Sequence, residues 1–255
     1  MSQLRQPRLA DLVARSLRER IVDGDLEDGA TLPTLDRLVT EFNVSAPSVR
    51  EALRILESEG LITVRRGNVG GAVVHRPTAE GAAFTLGLVL QSRSVDIADV
   101  AVALGHLQAL CARLCAQRPD RQTAVTPILQ AAQDAALESM DEDVRLFESH
   151  ARGFHRALVS CCGNHSLIML VGTLEELWSQ QDAAWSRRVT TSESPDPELR
   201  RDGLSAHQEI LEAIDAGDAS RALILVGDHC AHPETYGAAG LDGRVVRATD
   251  RLPDQ

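Results

Sequence analysis

The stretch SAPSVREALRILESE, residues 45–59, has the pattern of a short helix with one buried side and one free side. Ser45 stands at the N-cap position, where its hydroxyl can accept a hydrogen bond from an amide of the first turn. Apolar residues recur at the spacing of one helical face, at Val49, Ala52, Leu53 and Leu56. The other face begins with small residues and carries Arg50 and Arg54, a pattern typical of a helix that enters the major groove of DNA.

The residues on either side of this helix predict a winged helix-turn-helix. A second apolar stripe precedes it over 35–42, and only Asn43 and Val44 separate the two predicted helices. Asparagine tolerates the left-handed backbone that so tight a turn requires. After the helix, predicted strands at 61–64 and 72–75 flank a basic, glycine-rich turn, which is typical of a β-hairpin wing. The alternative is an unrelated helical hairpin that lies beside a β-hairpin.

The free side of the predicted recognition helix and the turn of the wing supply the candidate DNA contacts. Serine and arginine side chains can bind base edges or phosphates, and a glycine-rich backbone can approach the phosphate chain closely. The candidates are Ser45, Ser48, Arg50, Arg54, Arg65, Arg66, Gly67, Asn68 and Gly70.

The negative charge of the chain is confined to its second part. The net charge is −11, yet residues 1–77 contain 11 arginines and 11 acidic residues, so the excess lies within 78–255. A DNA-binding protein is expected to carry a basic face. In the first part, acidic residues cluster between Asp23 and Asp28, away from the arginines of the helix and wing. We therefore expect the acidic remainder of the chain to face away from DNA.

Residues 78–236 are predicted to be entirely helical. Breaks rich in proline, glycine, serine and aspartate separate about seven segments, at 81–92, 96–117, 121–139, 141–162, 165–190, 196–216 and 219–233. The predicted fold is mainly α, with an N-terminal winged helix-turn-helix domain over 1–77 and a C-terminal all-α bundle over 78–236. The glycine- and aspartate-rich segment 237–255 is predicted to be a flexible tail.

The sequence predicts a cytoplasmic protein without a membrane segment. No apolar run reaches 18 residues, and the first residues lack the apolar core of a signal peptide. The five cysteines are then expected to be reduced. Cys111 and Cys115 are one helical turn apart, and Cys161 and Cys162 are adjacent. They are interpreted as small apolar core residues, with a thiolate metal site or a redox switch as the alternatives.

Three histidines in the helical part are candidate metal ligands. His155, His207 and His229 fall on three different predicted helices, each at the core-facing phase. Imidazoles that converge inside a helical bundle can bind a divalent metal such as Zn²⁺. The alternative is that they are three packed core histidines with no ligand.

The first part of the chain resembles the winged-helix domain of the GntR superfamily of bacterial transcriptional regulators. The resemblance covers about 9–76, and its strongest motifs are Ser45, VREAL at 49–53 and EGL at 59–61. Arginines that commonly contact DNA in this family are replaced here, by Asp36 and Ala46. Because only Arg50 remains of the usual recognition arginines, the resemblance implies an atypical operator.

The second part, about 83–233, resembles the FCD ligand-binding domain of FadR-like GntR regulators. The resemblance implies a divalent metal held by one aspartate and three histidines, which helps to bind a small carboxylate effector. The histidines match His155, His207 and His229, but Ala151 stands where the aspartate is expected. Leu104 and Gln108 replace an arginine and a glutamate that are usual near the effector. The candidate effector contacts are His106, Gln108 and Asn164.

These features together predict a one-component transcriptional regulator that is not an enzyme. We expect a homodimer that binds a pseudo-palindromic double-stranded operator as a ligand-responsive repressor. One alternative is a DNA-binding protein with a vestigial, non-sensing helical dimerisation domain, which a pocket without a ligand would favour. The other is a three-histidine metal-dependent enzyme. No glutamate or histidine base stands out by its spacing, which counts against the enzyme.

Overall fold

A computed structural model of the protein describes residues 8–65, 71–142, 144–186, 197–231 and 243–248. The chain forms two compact units, Met1–Gly81 and Ala82–Gln255. The elements are α1 (Leu9–Val22), α2 (Leu35–Phe42), α3 (Ala46–Ser58), β1 (Ile62–Arg65), β2 (Gly71–Val74), α4 (Ala79–Ser92), α5 (Ile97–Gln117), α6 (Arg121–Ala124), α7 (Thr126–Glu138), α8 (Val144–Cys161), α9 (His165–Ser186), α10 (Pro197–Ala216) and α11 (Ala219–Ala231).

The N-terminal unit contains the predicted helix-turn-helix in α2 and α3. Asn43 ends α2 in the left-handed conformation, with φ of 50° and ψ of 48°. Two residues later, the Ser45 hydroxyl accepts a hydrogen bond from the Ser48 amide at 3.4 Å and caps α3. Helix α3 buries Val49, Ala52 and Leu56 in a core shared with α1 and α2. The tight turn and the buried stripe leave the opposite side of α3 free.

Strands β1 and β2 form the predicted hairpin. They pair antiparallel, from Ile62 opposite Val74 to Arg65 opposite Gly71, and Thr31 adds a single bridge to Val73. Recognition helix and wing are tied together, because the Val64 amide donates to the Glu57 carboxylate at 3.0 Å. The predicted DNA contacts Arg66, Gly67, Asn68 and Gly70 lie outside the described residues.

Helix α5 is the central helix of the C-terminal unit and packs on α8, α9, α10 and α11. Leu104, Cys111, Ala112 and Cys115 on it are fully buried. By length and composition alone α5 could cross a membrane, with a mean hydropathy of 1.4 over its most apolar window, of which 44% is buried. Its packing against four helices is that of the core helix of a bundle.

The predicted helix over 121–139 is wrong in one respect, since it is two helices, α6 and α7. The break lies at Val125, just before Pro127 in the first turn of α7. Proline has no amide hydrogen and clashes with the carbonyl four residues earlier, so it cannot continue a helix that began before it. The described part of the C-terminal unit therefore has eight helices instead of about seven.

The prediction of a flexible tail over 237–255 is wrong for residues 243–248. Val246 and Ala248 are buried, with exposures of 0% and 3%. The Ile97 amide donates to the Arg244 carbonyl at 2.8 Å, and the Val246 amide donates to the Val95 carbonyl at 3.0 Å. Backbone hydrogen bonds and two buried apolar side chains together dock this segment against the start of α5. The rest of the predicted tail lies outside the described residues.

Candidate nucleic-acid interface and metal centre

The free side of α3 presents the predicted DNA contacts to solvent. Ser45, Arg50 and Arg54 are exposed, and Ser48 is half-buried with its hydroxyl 3.0 Å from that of Ser45. Arg50 has no ion-pair partner among the described residues. Its guanidinium is therefore available to a base edge or a phosphate.

Arg54 differs from Arg50 because an acidic neighbour neutralises it. Its guanidinium lies 3.0 Å from the carboxylate of Glu51, with side-chain exposures of 73% and 54%. Sequence reasoning missed this pair, although the spacing of three residues on one helix is the signal that could have found it. Arg65, at the end of β1, is exposed. The recognition surface is thus a mixture of free and paired charges.

In the C-terminal unit, three helices bring the predicted metal ligands together. Nε2 of His155 on α8 lies 3.1 Å from Nε2 of His207 on α10 and 3.2 Å from Nε2 of His229 on α11. The ligand nitrogens of all three rings lie within 4.8 Å of one another. His155 and His207 are buried and His229 is half-buried. Imidazole nitrogens this close, on side chains far apart in sequence, form a compact donor set.

Aromatic packing fixes the directions of these rings. The ring of Phe154, which is fully buried, stacks on His207 with centroids 4.2 Å apart and an interplanar angle of 10°. His155 and His229 stack on each other at 5.1 Å and 7°, and His207 stands at 77° to His155. The stacking holds the three rings with Nε2 atoms facing inwards.

Burial keeps the two inner imidazoles neutral. It lowers the pKa of His155 to about 3, and the neighbouring His229 contributes to the same shift. Burial also lowers the pKa of His207 well below its usual value, with smaller contributions from the other two histidines. A neutral imidazole has a lone pair that a metal can accept, whereas a protonated imidazole has none. The two rings are therefore in the ligating state at neutral pH.

The three histidines fit a tetrahedral zinc ion. Ligand nitrogens about 2.0–2.1 Å from zinc at tetrahedral angles lie about 3.3 Å from one another. The separations of 3.1 Å from His155 to His207 and 3.2 Å from His155 to His229 are close to this value, and the ligand nitrogens of His207 and His229 lie within 4.8 Å of each other. Ala151 packs beside an apolar cluster that includes Phe147 and Leu204 and offers no carboxylate. A zinc ion held by these three histidines would keep a fourth position for water or an effector oxygen.

The predicted effector contacts occupy three different environments. His106 is exposed on α5, and Asn164 is exposed and caps α9, since its side-chain oxygen accepts from the Leu167 amide at 3.1 Å. Gln108 is buried behind His155, and its amide oxygen lies 3.0 Å from Nδ1 of that ring. Leu104, which replaces the usual arginine, is fully buried. Two of the predicted effector contacts are therefore exposed, and the third is buried against His155.

The cysteines are core residues. All five are buried and none forms a disulfide. Burial, more than the neighbouring Cys162, raises the pKa of the Cys111 thiol to about 12, and burial also raises the pKa of Cys115. Thiols with raised pKa values are poor nucleophiles and poor metal ligands. This favours the interpretation as small apolar packing residues.

One chain combines a winged helix-turn-helix with a helical bundle in which three histidines face inwards. This combination is typical of a one-component DNA-binding regulator. The chain belongs to the GntR family: residues 9–73 match "Bacterial regulatory proteins, gntR family", and residues 99–232, more than half of the chain, match the FCD domain. The predicted family, fold and class, a DNA-binding transcriptional regulator, are thereby confirmed.

Curated proteins and a solved structure are similar to this chain. The chain is 29% identical over 169 residues to the HTH-type transcriptional repressor NanR of Klebsiella aerogenes, covering 63% of this chain and 61% of that protein, less than two thirds of its length. It is 27% identical over 222 residues to NanR of Salmonella newport, covering 84% and 78%. The solved structure of Streptococcus agalactiae GntR, 20% identical, matches 87% of this chain and 96% of that chain with a TM-score of 0.61, which shows the fold.

Proposed function

We propose that this protein is a cytoplasmic, non-enzymatic repressor of transcription that binds its operator as a homodimer and responds to a small molecule. Its relatives in Klebsiella aerogenes and Salmonella newport are transcriptional repressors. A single exposed recognition helix reads only one half-site, so a pseudo-palindromic operator requires two chains. The acidic part of the chain is separate from the winged unit and is expected to face away from DNA.

Operator recognition is assigned to the free side of α3 and to the wing. Arg50 is exposed and has no ion-pair partner among the described residues, so it can form a bidentate contact to guanine. Ser45 and Ser48, at the N-terminus of α3, lie where backbone amides and hydroxyls bind phosphate. Arg54 would exchange Glu51 for a phosphate, and Arg65 would lie beside the backbone or minor groove.

Effector binding is assigned to the three-histidine site, which would hold a divalent metal such as zinc. The carrying observation is that three Nε2 atoms from three helices converge, and that two of the three rings, His155 and His207, are buried with lowered pKa values. A metal bound there would supply positive charge for a carboxylate oxygen of an effector. Because Leu104 offers no charge in place of the usual arginine, that attraction would come chiefly from the metal.

The proposed response to an effector follows from the positions of the metal-binding histidines on three different helices. His155, His207 and His229 come from α8, α10 and α11, so a ligand that prefers one arrangement of these helices shifts the population of the bundle. In a dimer, such a shift would change the spacing of the two winged domains and thereby the affinity for the operator.

Zinc titration tests the metal assignment in this proposal. Wild-type protein stripped with a chelator should take up about one zinc per chain, and His207→Ala should take up none, because two imidazoles are too few for a stable site. His106→Ala serves as the matched control, since His106 is exposed and lies outside the donor set. Equal zinc uptake by wild type and His207→Ala would refute the metal assignment.

A further inference from the structure

A chain of hydrogen bonds, here called the relay, runs from His155 through Gln108 on α5 to Glu175 on α9. Gln108 on α5 is 1% exposed, and its Oε1 lies 3.0 Å from Nδ1 of His155. Its Nε2 donates to the carboxylate of Glu175 at 2.9 Å. The Cys230 thiol donates to the same Gln108 oxygen at 3.4 Å. Gln108 is therefore held from three directions in a buried position.

The chemistry of these groups determines the direction of each hydrogen bond. Burial raises the pKa of Glu175, while the hydrogen bond from Gln108 and the charge of Arg156 lower it. In its ionised form the carboxylate only accepts, so Gln108 presents its amino group to Glu175 and its carbonyl oxygen to His155. A carbonyl oxygen also only accepts, so the hydrogen of that bond is on Nδ1 of His155. A neutral imidazole protonated on Nδ1 has its lone pair on Nε2. That is the atom which faces His207 and His229.

We infer that Gln108 and Glu175 are positioning residues of the three-histidine site. Glu175 orients the Gln108 amide, and Gln108 holds His155 in the tautomer whose Nε2 is free to bind a metal. Metal-bound histidines commonly donate their second N–H to a carboxylate or a carbonyl. Here an amide stands between the carboxylate and the ring. This inference rests on the proposed metal-binding function.

The contrast with His207 shows why the relay matters for His155. Nδ1 of His207 is buried and has no hydrogen-bond partner among the described residues. Stacking on Phe154 fixes the ring plane of His207, but stacking does not determine which of the two ring nitrogens carries the hydrogen. His155 stands between the other two rings, with its Nε2 close to both of theirs. A wrong tautomer at this position would point an N–H at the centre of the donor set.

Substituting Gln108→Met tests the inference, because methionine nearly matches glutamine in volume and offers no strong acceptor. In metal-free protein, long-range ¹H–¹⁵N NMR should show His155 protonated on Nδ1 in the wild type, and protonated partly or wholly on Nε2 in the variant. Zinc affinity, measured by competition with a chromophoric chelator, should fall about 10–100-fold, as for other groups that orient metal ligands.

Two further variants separate positioning from packing. Gln133→Met makes the same substitution at a glutamine of 2% exposure whose amide donates to the Leu204 carbonyl, and it should leave the His155 tautomer unchanged and cost little zinc affinity. The exchange of both residues, Gln108→Glu with Glu175→Gln, keeps one carboxylate and one amide and presents an acceptor to His155. It should restore the Nδ1–H tautomer and most of the affinity.

The results distinguish failure of the relay from failure of the metal site. Wild-type protein that binds no zinc would overturn the proposed metal site and the positioning role together. Wild-type protein that binds zinc while His155 is protonated on Nε2 in the metal-free state would overturn the relay alone. A Gln108→Met variant with wild-type zinc affinity would also overturn the relay alone.

Discussion

Nε2 of His207 lies 3.1 Å from Nε2 of His155, although 52 residues separate the two histidines along the chain. At this distance at most one of the two Nε2 atoms can carry a hydrogen, since a hydrogen on both would place two hydrogens between them. Burial lowers the pKa of both rings, so they remain neutral well into the acid range. The fold has thus brought together two ring nitrogens that can bind a metal, and the predictions about metal rest on this relationship.

The first prediction concerns recognition of the operator. Arg50→Ala should weaken binding to the operator by about 1–3 kcal/mol if Arg50 contacts a base, because a bidentate pair is lost. Mobility shifts with DNA upstream of the protein's own gene measure this change. Arg113→Ala, which removes an exposed arginine from α5, is the control and should leave binding unchanged. Equal affinities of the Arg50→Ala variant and the wild type would remove Arg50 from recognition.

The second prediction concerns the ion pair on the recognition helix. Glu51→Gln releases Arg54 from its partner and removes one negative charge from the DNA-facing side. Because exposed pairs are worth about 0–1 kcal/mol, affinity for non-operator DNA should rise by up to about fivefold. The increase should disappear at high salt, where charges are screened. Fluorescence anisotropy across a salt series measures it, and weaker binding by the variant would contradict the assignment.

The third prediction concerns the missing carboxylate. Ala151→Asp places an anionic group one helical turn before His155 and should raise zinc affinity, because a carboxylate attracts a dication at short range. Ser149→Asp adds the same charge at an exposed position on another side of α8 and should have little effect. Chelator competition compares the two variants. Equal affinities of the two variants and the wild type would place Ala151 outside reach of the metal.

The fourth prediction concerns acid sensitivity of the metal-free protein. The folded pKa of His155 is about 3, below the unfolded value near 6.5, so the unfolded chain binds more protons between these limits. The contribution of His155 to stability is therefore fully present above about pH 6.5 and falls as the pH drops, by up to about 1.4 kcal/mol per pH unit. Urea unfolding at pH 7, 6 and 5 should show a shallower fall for His155→Gln than for the wild type. If the free energy of unfolding fell equally with pH in the wild type and in His155→Gln, His155 would not be buried in the neutral form.

The fifth prediction concerns assembly. We expect a homodimer at micromolar concentration, because one recognition helix per chain reads one half-site of a pseudo-palindrome. Sedimentation velocity of the full chain measures the mass directly. A species of 27.6 kDa across the micromolar range would contradict the dimer.

Local signals in the sequence were enough for the winged unit. Ser45, Asn43 and the apolar stripe of α3 act through contacts within a few residues, so cap, turn and helix could be predicted from spacing alone. The hairpin followed from a short turn between two apolar segments. The break at Val125 could also have been predicted, because Pro127 carries its own signal.

The surroundings of the histidines could be predicted only in part. Helical phase placed His155, His207 and His229 on core-facing sides, but spacing along the chain carries no information about which nitrogen faces which. Gln108 was interpreted as an effector contact, and its contact with Glu175, 67 residues away, depends on how α5 and α9 pack. The docking of 243–248 was hidden for the same reason, since its partners lie near the start of α5, about 150 residues earlier in the chain.

X-ray absorption at the zinc edge, on full-length protein loaded with one equivalent of zinc, tests the central claim most directly. The account predicts three imidazole nitrogens and one oxygen ligand at about 2.0–2.1 Å, and no such ligand shell in His207→Ala, which should take up no zinc. A sulfur shell at about 2.3 Å would assign the metal to cysteines instead. A spectrum that is identical in wild type and His207→Ala would equally contradict a metal held by His155, His207 and His229.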